Sequence, residues 1–240
     1  MAEKPLIKLE NVWKIYQLGK VKIEVLRGIS LEITPGSFVV ILGPSGSGKS
    51  TLLYMIGLLD TPTKGKVFLE SQDTSKLSED ELAQVRGQKI GFIFQQFNLL
   101  PNLSALENVT IPMLFQGSPE KERKERAEFL LGSIGLKERI THRPYELSGG
   151  EQQRIAIARS LANNPEIIVA DEPTGNLDSA TGKKVMEILM DLHEKEKKTI
   201  IVVTHDPRIA DYAENIINIE DGQIVANHLT SRDILWQRKK

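Results

Sequence analysis

The stretch Gly43-Pro44-Ser45-Gly46-Ser47-Gly48-Lys49-Ser50 limits what this chain can fold into more than any other. It fits the pattern G-x-x-x-x-G-K-[ST] at every fixed position. The apolar run Phe38-Val39-Val40-Ile41-Leu42 precedes it, and the helix-forming stretch Ser50-Thr51-Leu52-Leu53-Tyr54-Met55-Ile56 follows. A continuous apolar run of that length reads as a strand buried on both faces of a parallel sheet. Glycines let the backbone between strand and helix curl until several N–H groups point into one concavity. The positive end of the following helix adds to that field. Lys49 supplies a point charge for the outer phosphates, and the Ser50 hydroxyl is placed to ligate Mg²⁺. A flexible Gly/Ser turn is the bland alternative; the full match between a strand and a helix favours the phosphate cradle. The motif implies that a nucleoside triphosphate binds and leaves open what its energy is used for.

The rest of the chain continues the alternation. Ile167-Ile168-Val169-Ala170 and Thr199-Ile200-Ile201-Val202-Val203 are two further apolar runs. Between them Val185, Ile188, Leu189 and Leu192 recur at helical spacing. Strand, helix and strand in this order predict an α/β fold with a parallel sheet. The first 35 residues read as strands, with Ile7, Leu9 and Val12 in one and Val25, Ile29, Leu31 and Ile33 in another, closed by a Pro35-Gly36 turn. From about Gly117 to Gly135 the chain is helix-like and densely charged, with Glu120 and Lys124, and Glu122 and Arg126, four residues apart. We therefore expect a single domain over residues 1–240: an α/β core from about 1–96 and 161–240, and a mostly helical insertion over about 97–160.

Composition removes several classes. Across 240 residues the net charge is −1, which excludes a globally basic nucleic-acid binder. There is no cysteine, so disulfide scaffolds, Cys-ligated zinc, iron–sulfur clusters and thiol nucleophiles are excluded together. Met1-Ala2-Glu3-Lys4-Pro5 lacks the apolar stretch of a secretory signal, and nowhere is there the run of about 20 apolar residues that spans a bilayer. The expected location is the cytoplasm, with any membrane contact made through a partner. The basic end Arg238-Lys239-Lys240 reads as a solvated tail.

Two adjacent acids, Asp171 and Glu172, end the run Ile167–Ala170. Ligands of an open α/β sheet sit beyond the carboxyl ends of its strands. Successive strand side chains point opposite ways, so the two acids need different jobs. Asp171 fits a Mg²⁺ ligand acting through water. Glu172 fits the group that polarises an attacking water. A solvated acidic turn is the alternative, and the upstream cradle weighs against it.

Leu147-Ser148-Gly149-Gly150-Glu151-Gln152-Gln153-Arg154, running on into Ile155-Ala156-Ile157-Ala158-Arg159, resembles the signature region of ATP-binding cassette (ABC) transporter ATPases. A Ser hydroxyl and Gly amides at a helix N-terminus make a second anion site; a simple helix cap by Ser148 is the plainer reading. The resemblance runs from about Leu6 to Val225. It implies a P-loop core with a parallel sheet, an N-terminal antiparallel β subdomain and the inserted helical subdomain. It also implies a head-to-tail homodimer holding two ATP molecules, with Ser148, Gly149, Gly150 and Glu151 of each copy closing over the ATP of the other. ATP would lie along Gly43–Thr51 of the cradle, with Tyr16 stacked on adenine and Trp13 nearby; a core or edge-strand aromatic is the plainer reading of Tyr16. Gln95 resembles the glutamine that touches Mg²⁺ and the attacking water; its neighbour Gln96 is a rival, and Gln95 is preferred because it directly follows a strand-like run. His205 resembles the histidine that contacts the γ-phosphate. Asn176 and Asp178, in Gly175-Asn176-Leu177-Asp178, resemble the loop that crosses the dimer interface, where the family often has Ser-Ala-Leu-Asp. ATP and Mg²⁺ are the implied cofactors, with Ser50, Gln95 and Asp171 holding the metal.

Gln95-Gln96-Phe97-Asn98-Leu99-Leu100-Pro101 and Asp171-Glu172-Pro173-Thr174-Gly175-Asn176-Leu177-Asp178 resemble one branch of that family, which includes lipoprotein-release, macrolide-export and cell-division ATPases. It implies separate integral-membrane permease subunits and export or extraction. A cell-division-type ATPase that transmits force without transport is the alternative. Nucleic-acid-linked relatives carry a long coiled coil between the nucleotide motifs or two cassettes in one chain, and neither is read here.

Overall fold

A computed structural model describes residues 4–230. The basic end at Arg238–Lys240 lies outside the described residues. In chain order the elements are β1 (Ile7–Leu18), β2 (Val21–Ile33), β3 (Phe38–Leu42), α1 (Lys49–Ile56), β4 (Lys64–Leu69), β5 (Gln72–Asp73), α2 (Glu79–Lys89) and β6 (Ile90–Ile93). They continue with α3 (Ala105–Phe115), α4 (Glu120–Ser133), α5 (Gly149–Ser160), β7 (Ile167–Asp171), α6 (Ser179–Glu196), β8 (Thr199–Thr204), β9 (Asn215–Glu220) and β10 (Gln223–Leu229). Two compact units divide them, one from residues 1–82 and 197–240, the other from residues 83–196.

In the first unit β2-β1-β4-β5 form an antiparallel sheet, as the family resemblance implied. A second sheet runs in the order β10-β9-β3-β8. β3 is central there, parallel to β8 on one side and β9 on the other. Phe38, Val39, Val40 and Ile41 are buried to 1% exposure or less. Burying each contributes about 1.5–3 kcal/mol relative to leaving it in water. A strand anchored this firmly fixes the starting point of the loop that leaves it. The hairpin β9–β10 was not legible in advance, because Asn215–Glu220 mixes polar residues into a half-buried strand.

In the second unit β6 and β7 are parallel. Helices α3, α4 and α5 fall inside the expected helical stretch over about 97–160. α5 buries Ile155, Ala156, Ile157 and Ala158 in succession, so this part of it is enclosed all round, and the helix packs against α3, α4, α6 and β6. α6 is amphipathic, burying Val185, Met186, Leu189 and Leu192. Ile188, expected on that face, is half-buried and lines a cavity of about 550 Å³ with Phe129 and Leu161. The ion pair observed on α4 is Lys121 with Glu125 at 3.9 Å. Arg126, expected opposite Glu122, lies over the Phe129 ring and donates to the Leu161 carbonyl.

Candidate functional site

The sequence-identified residues fall into two sets, each assembled within one unit. The first set is the cradle. β3 ends at Leu42, which pairs with Asn218 of β9 and Thr204 of β8. The chain then passes so close to β9 that a Cβ at Gly43 would lie 2.2 Å from the Ile219 carbonyl oxygen. Gly48 sits at φ 99° with the Val25 carbonyl 2.8 Å from where its Cβ would be. Both positions need glycine, the second for conformation as well as space. The back of the loop is braced where the Gly222 N–H donates to the Ser47 carbonyl at 3.0 Å. α1 starts at Lys49 with no side-chain cap and no acid in its first turn, so its N-terminal donors keep their positive field.

Lys49 is 7% exposed, and its ammonium donates to the carbonyls of Gly43 at 2.8 Å and Pro44 at 2.7 Å. Ser47 Oγ is buried and has no hydrogen-bond partner among the described residues. A desolvated cation, an orphaned hydroxyl and an uncapped helix start fit an anion bound in the loop. Pro44, Ser45 and Gly46 are exposed along the rim, as is Ser50, while Thr51 is half-buried.

Tyr16 and His205 belong to the same unit. The Leu42–Thr204 register means that Gly43 and His205 leave adjacent parallel strands at one level. His205 is exposed there. Tyr16, on β1, is 36% exposed. Its hydroxyl donates to Asp60 at 3.0 Å, and the Lys14 ammonium lies 5.1 Å from its ring centroid while also pairing with Asp60 at 2.5 Å. Burial, with Asp60 as acceptor, pushes the Tyr16 phenol up. Burial raises the Asp60 carboxyl too, but Lys14, the Thr61 N–H and Tyr16 outweigh it and hold the group below the usual range. Sequence reasoning missed Lys14 and Asp60, which lie 46 residues apart. Trp13 stands under the Lys64 ammonium at 5.8 Å.

The second set lies in the other unit. The parallel register pairs Ile93 of β6 with Ala170 of β7, so Phe94 and Gln95 run beyond one strand as Asp171 ends the other and Glu172 follows it. Gln95 and Glu172 thus emerge together. Glu172 sits at φ 46°, an uncommon conformation for a residue other than glycine. Gln95 folds over the following loop: its Nε2 lies 2.9 Å from where a Gly175 Cβ would be. Asn176 Nδ2 donates to the Gln95 carbonyl at 2.8 Å. Gln96 is exposed beside it, so the rival glutamine shares the turn. Asp178 Oδ1 accepts from the backbone N–H of Ala180 and Thr181, both at 3.0 Å, which caps the start of α6; the Thr181 hydroxyl, with these N–H groups, holds its carboxyl low.

Ser148 caps α5 in a reciprocal box. Its hydroxyl accepts from the Glu151 N–H at 3.3 Å, and Glu151 Oε2 accepts from the Ser148 N–H at 2.9 Å and from its hydroxyl at 2.8 Å. These bonds, led by the Ser148 N–H, keep the Glu151 carboxyl low, and Arg139 adds to them at 3.3 Å. Gly149 and Gly150 follow at the half-exposed first turn. The plain helix-cap reading of Ser148 is thus realised, with its first-turn amides presented beside it.

The residues expected to hold Mg²⁺, namely Ser50, Gln95 and Asp171, offer a hydroxyl, an amide carbonyl and a carboxylate. These are hard oxygen donors of the kind that ion prefers. Among the described residues no cluster of three His, Cys, Asp or Glu marks a metal centre made by protein ligands alone, and no helix is long and apolar enough to cross a membrane.

Residues 26–175 match the family model described as ABC transporter. The chain is 51% identical over 225 residues to the lipoprotein-releasing system ATP-binding protein LolD of Aquifex aeolicus, covering 94% of this chain and 97% of that one. It is 50% identical over 234 residues to the macrolide export ATP-binding/permease protein MacB of Brucella abortus, covering 98% of this chain but only 36% of that longer protein. Among solved structures it resembles the ATP-binding cassette MJ0796 of Methanocaldococcus jannaschii, described as a dimeric post-hydrolysis state bound to ADP and Pi. There the TM-score is 0.87 at 49% identity, over 93% of this chain and 98% of that one.

Proposed function

This chain belongs to the ABC transporter family, and from that premise we propose that it is the ATP-binding, ATP-hydrolysing subunit of a membrane machine that exports or extracts its cargo. The observation that carries this reading is the cradle: a glycine-shaped loop with a buried Lys49 and an uncapped helix behind it. Two copies associate, head to tail, a reading supported by the MJ0796 cassette being dimeric in its solved structures. Separate integral-membrane subunits complete the machine, in keeping with the LolD relative; MacB carries its permease in the same polypeptide. The chain then works at the cytoplasmic face of the membrane.

The residues divide the chemistry among them. The cradle amides and Lys49 bind the phosphates, with Lys49 leaving the Gly43 and Pro44 carbonyls for them. The exposed ring of Tyr16 stacks on adenine, which gives affinity more than base choice. Glu172 accepts the proton of the attacking water, and His205 hydrogen-bonds the γ-phosphate. Ser50, Gln95 and Asp171 would hold Mg²⁺, which when bound neutralises charge on the phosphate oxygens. Ser148 and the first amides of α5 bind the triphosphate of the partner copy, so ATP itself bridges the dimer. Asp178 and Asn176 line the loop between copies. Loss of the γ-phosphate removes the bridge.

Glu172→Gln tests the reading, because it keeps size and polarity while removing the base. Size-exclusion chromatography is expected to show a monomer without nucleotide and a trapped dimer with ATP. An unchanged monomer peak at saturating ATP would count against it.

A further inference from the structure

The turn that carries Gln95 is strained and externally held. Phe97 and Asn98 follow it at φ 59° and 51°. Two consecutive left-handed residues, one of them aromatic, persist only where surroundings over-determine them. Within the turn the Phe97 N–H donates to Phe94 and the Asn98 N–H to Gln96. Three of its carbonyls are gripped from outside. The Arg159 guanidinium, near the C-terminus of α5, donates to the Phe97 carbonyl at 2.8 Å and to the Asn98 carbonyl. Asn176 donates to the Gln95 carbonyl at 2.8 Å. The Phe97 ring meanwhile lies 3.7 Å from where a Cβ on Gly149 would stand, at the other end of α5.

We propose that Asn176 and Arg159 are positioning residues for the ATPase reaction, together clamping the Gln95–Asn98 turn in the left-handed form that sets where the Gln95 side chain lies. The Gln95 carbonyl accepts from Asn176 and the Gln95 side-chain amide lies close against Gly175, so a shift of that loop moves the glutamine directly. Alanine at this position would offer no such donor. The clamp therefore gives this chain a side-chain link between its interface loop and its Gln95 turn. The catalytic half of this inference rests on the function proposed above.

The test uses the full chain and two variants. Asn176→Asp keeps the shape but can only accept, so it sets a carboxylate against the Gln95 carbonyl. Arg159→Lys replaces a planar fork by a point charge and keeps one of two bonds. Hydrogen exchange on the nucleotide-free protein is expected to run about tenfold faster at the Phe97 and Asn98 amides in each variant, with β7 and most of α5 unchanged. In the ATPase assay the Mg²⁺ concentration for half-maximal rate is expected to rise about tenfold, while metal-free ATP affinity, read with a fluorescent analogue, stays within twofold. Exchange within twofold of wild type in both variants overturns the clamp. Faster exchange with an unmoved Mg²⁺ requirement overturns its positioning role. A wild-type chain without ATPase activity would instead sink the functional reading, and the exchange data would still decide the clamp.

Discussion

Leu42 and Thr204 are paired in adjacent parallel strands, and this register delivers Gly43 and His205 to the same level at their ends. The phosphate loop and the histidine are thus set level with each other by one ladder of backbone bonds between packed strands. If His205 contacts the γ-phosphate, its loss removes a charge-assisted hydrogen bond and leaves the cradle intact. His205→Ala is expected to lower kcat by about 10–100-fold, the equivalent of roughly 1.5–3 kcal/mol, with ATP affinity near wild type. Phosphate release and a fluorescent-nucleotide titration measure the two quantities; a parallel loss of affinity would show the histidine to be part of the binding loop.

The cradle glycines are expected to fail for different reasons. Gly46 has open space around its missing Cβ but sits at φ 80°. Gly46→Ala therefore incurs only the left-handed penalty, about 1–2 kcal/mol. Gly43→Ala drives a methyl into the Ile219 carbonyl, which belongs to a paired strand and cannot yield. It is expected to cost more stability than Gly46→Ala in urea denaturation, and an equal or smaller cost would contradict this steric account.

Tyr16 offers a separation of ring from hydroxyl. Tyr16→Phe loses the bond to Asp60 but keeps the aromatic face. Tyr16→Ala loses stacking worth about 1–3 kcal/mol for a base. Nucleotide titration is expected to show a small change for the first and roughly 10–100-fold weaker binding for the second, similar for ATP and GTP. Strong ATP-over-GTP discrimination lost in Tyr16→Phe would assign base choice to the hydroxyl.

The α5 cap has a pH signature. Bonds from Ser148 hold the Glu151 carboxyl below its ordinary value. A depressed carboxylate contributes stability that is complete above the unfolded-state value and lost as pH falls through the folded one. The difference in urea midpoint between wild type and Glu151→Gln is therefore expected to shrink as pH drops from about 5. A difference independent of pH would mean that the cap does not depend on the charge.

How much of this was legible beforehand follows from the range of the signals. The cradle, the acids at the end of β7 and the Ser148 cap are each written in one contiguous stretch, so spacing identified them. The strand registers that set Gln95 beside Glu172 and Gly43 beside His205 are tertiary facts that local pattern only hints at through apolar runs. Asp60 and Arg159 were invisible as partners because their contacts, with Lys14 and with the Phe97 and Asn98 carbonyls, join distant segments. α2 was missed for another reason. It buries only Leu82, so it carries no apolar face to betray it. α4, which buries Ala127, Leu130 and Leu131, was legible as a helix, but charge spacing predicted pairs there that are not the ones observed.

The central claim is that two copies share two ATP molecules, each copy supplying Ser148 to the site of the other. Light scattering on Glu172→Gln, compared with Glu172→Gln carrying Ser148→Arg, tests it most directly. The account predicts an ATP-dependent doubling of mass in the first protein and none in the second, with nucleotide still bound by both. A doubled mass that survives Ser148→Arg, or tight enclosure of ATP without any change of mass, would contradict it.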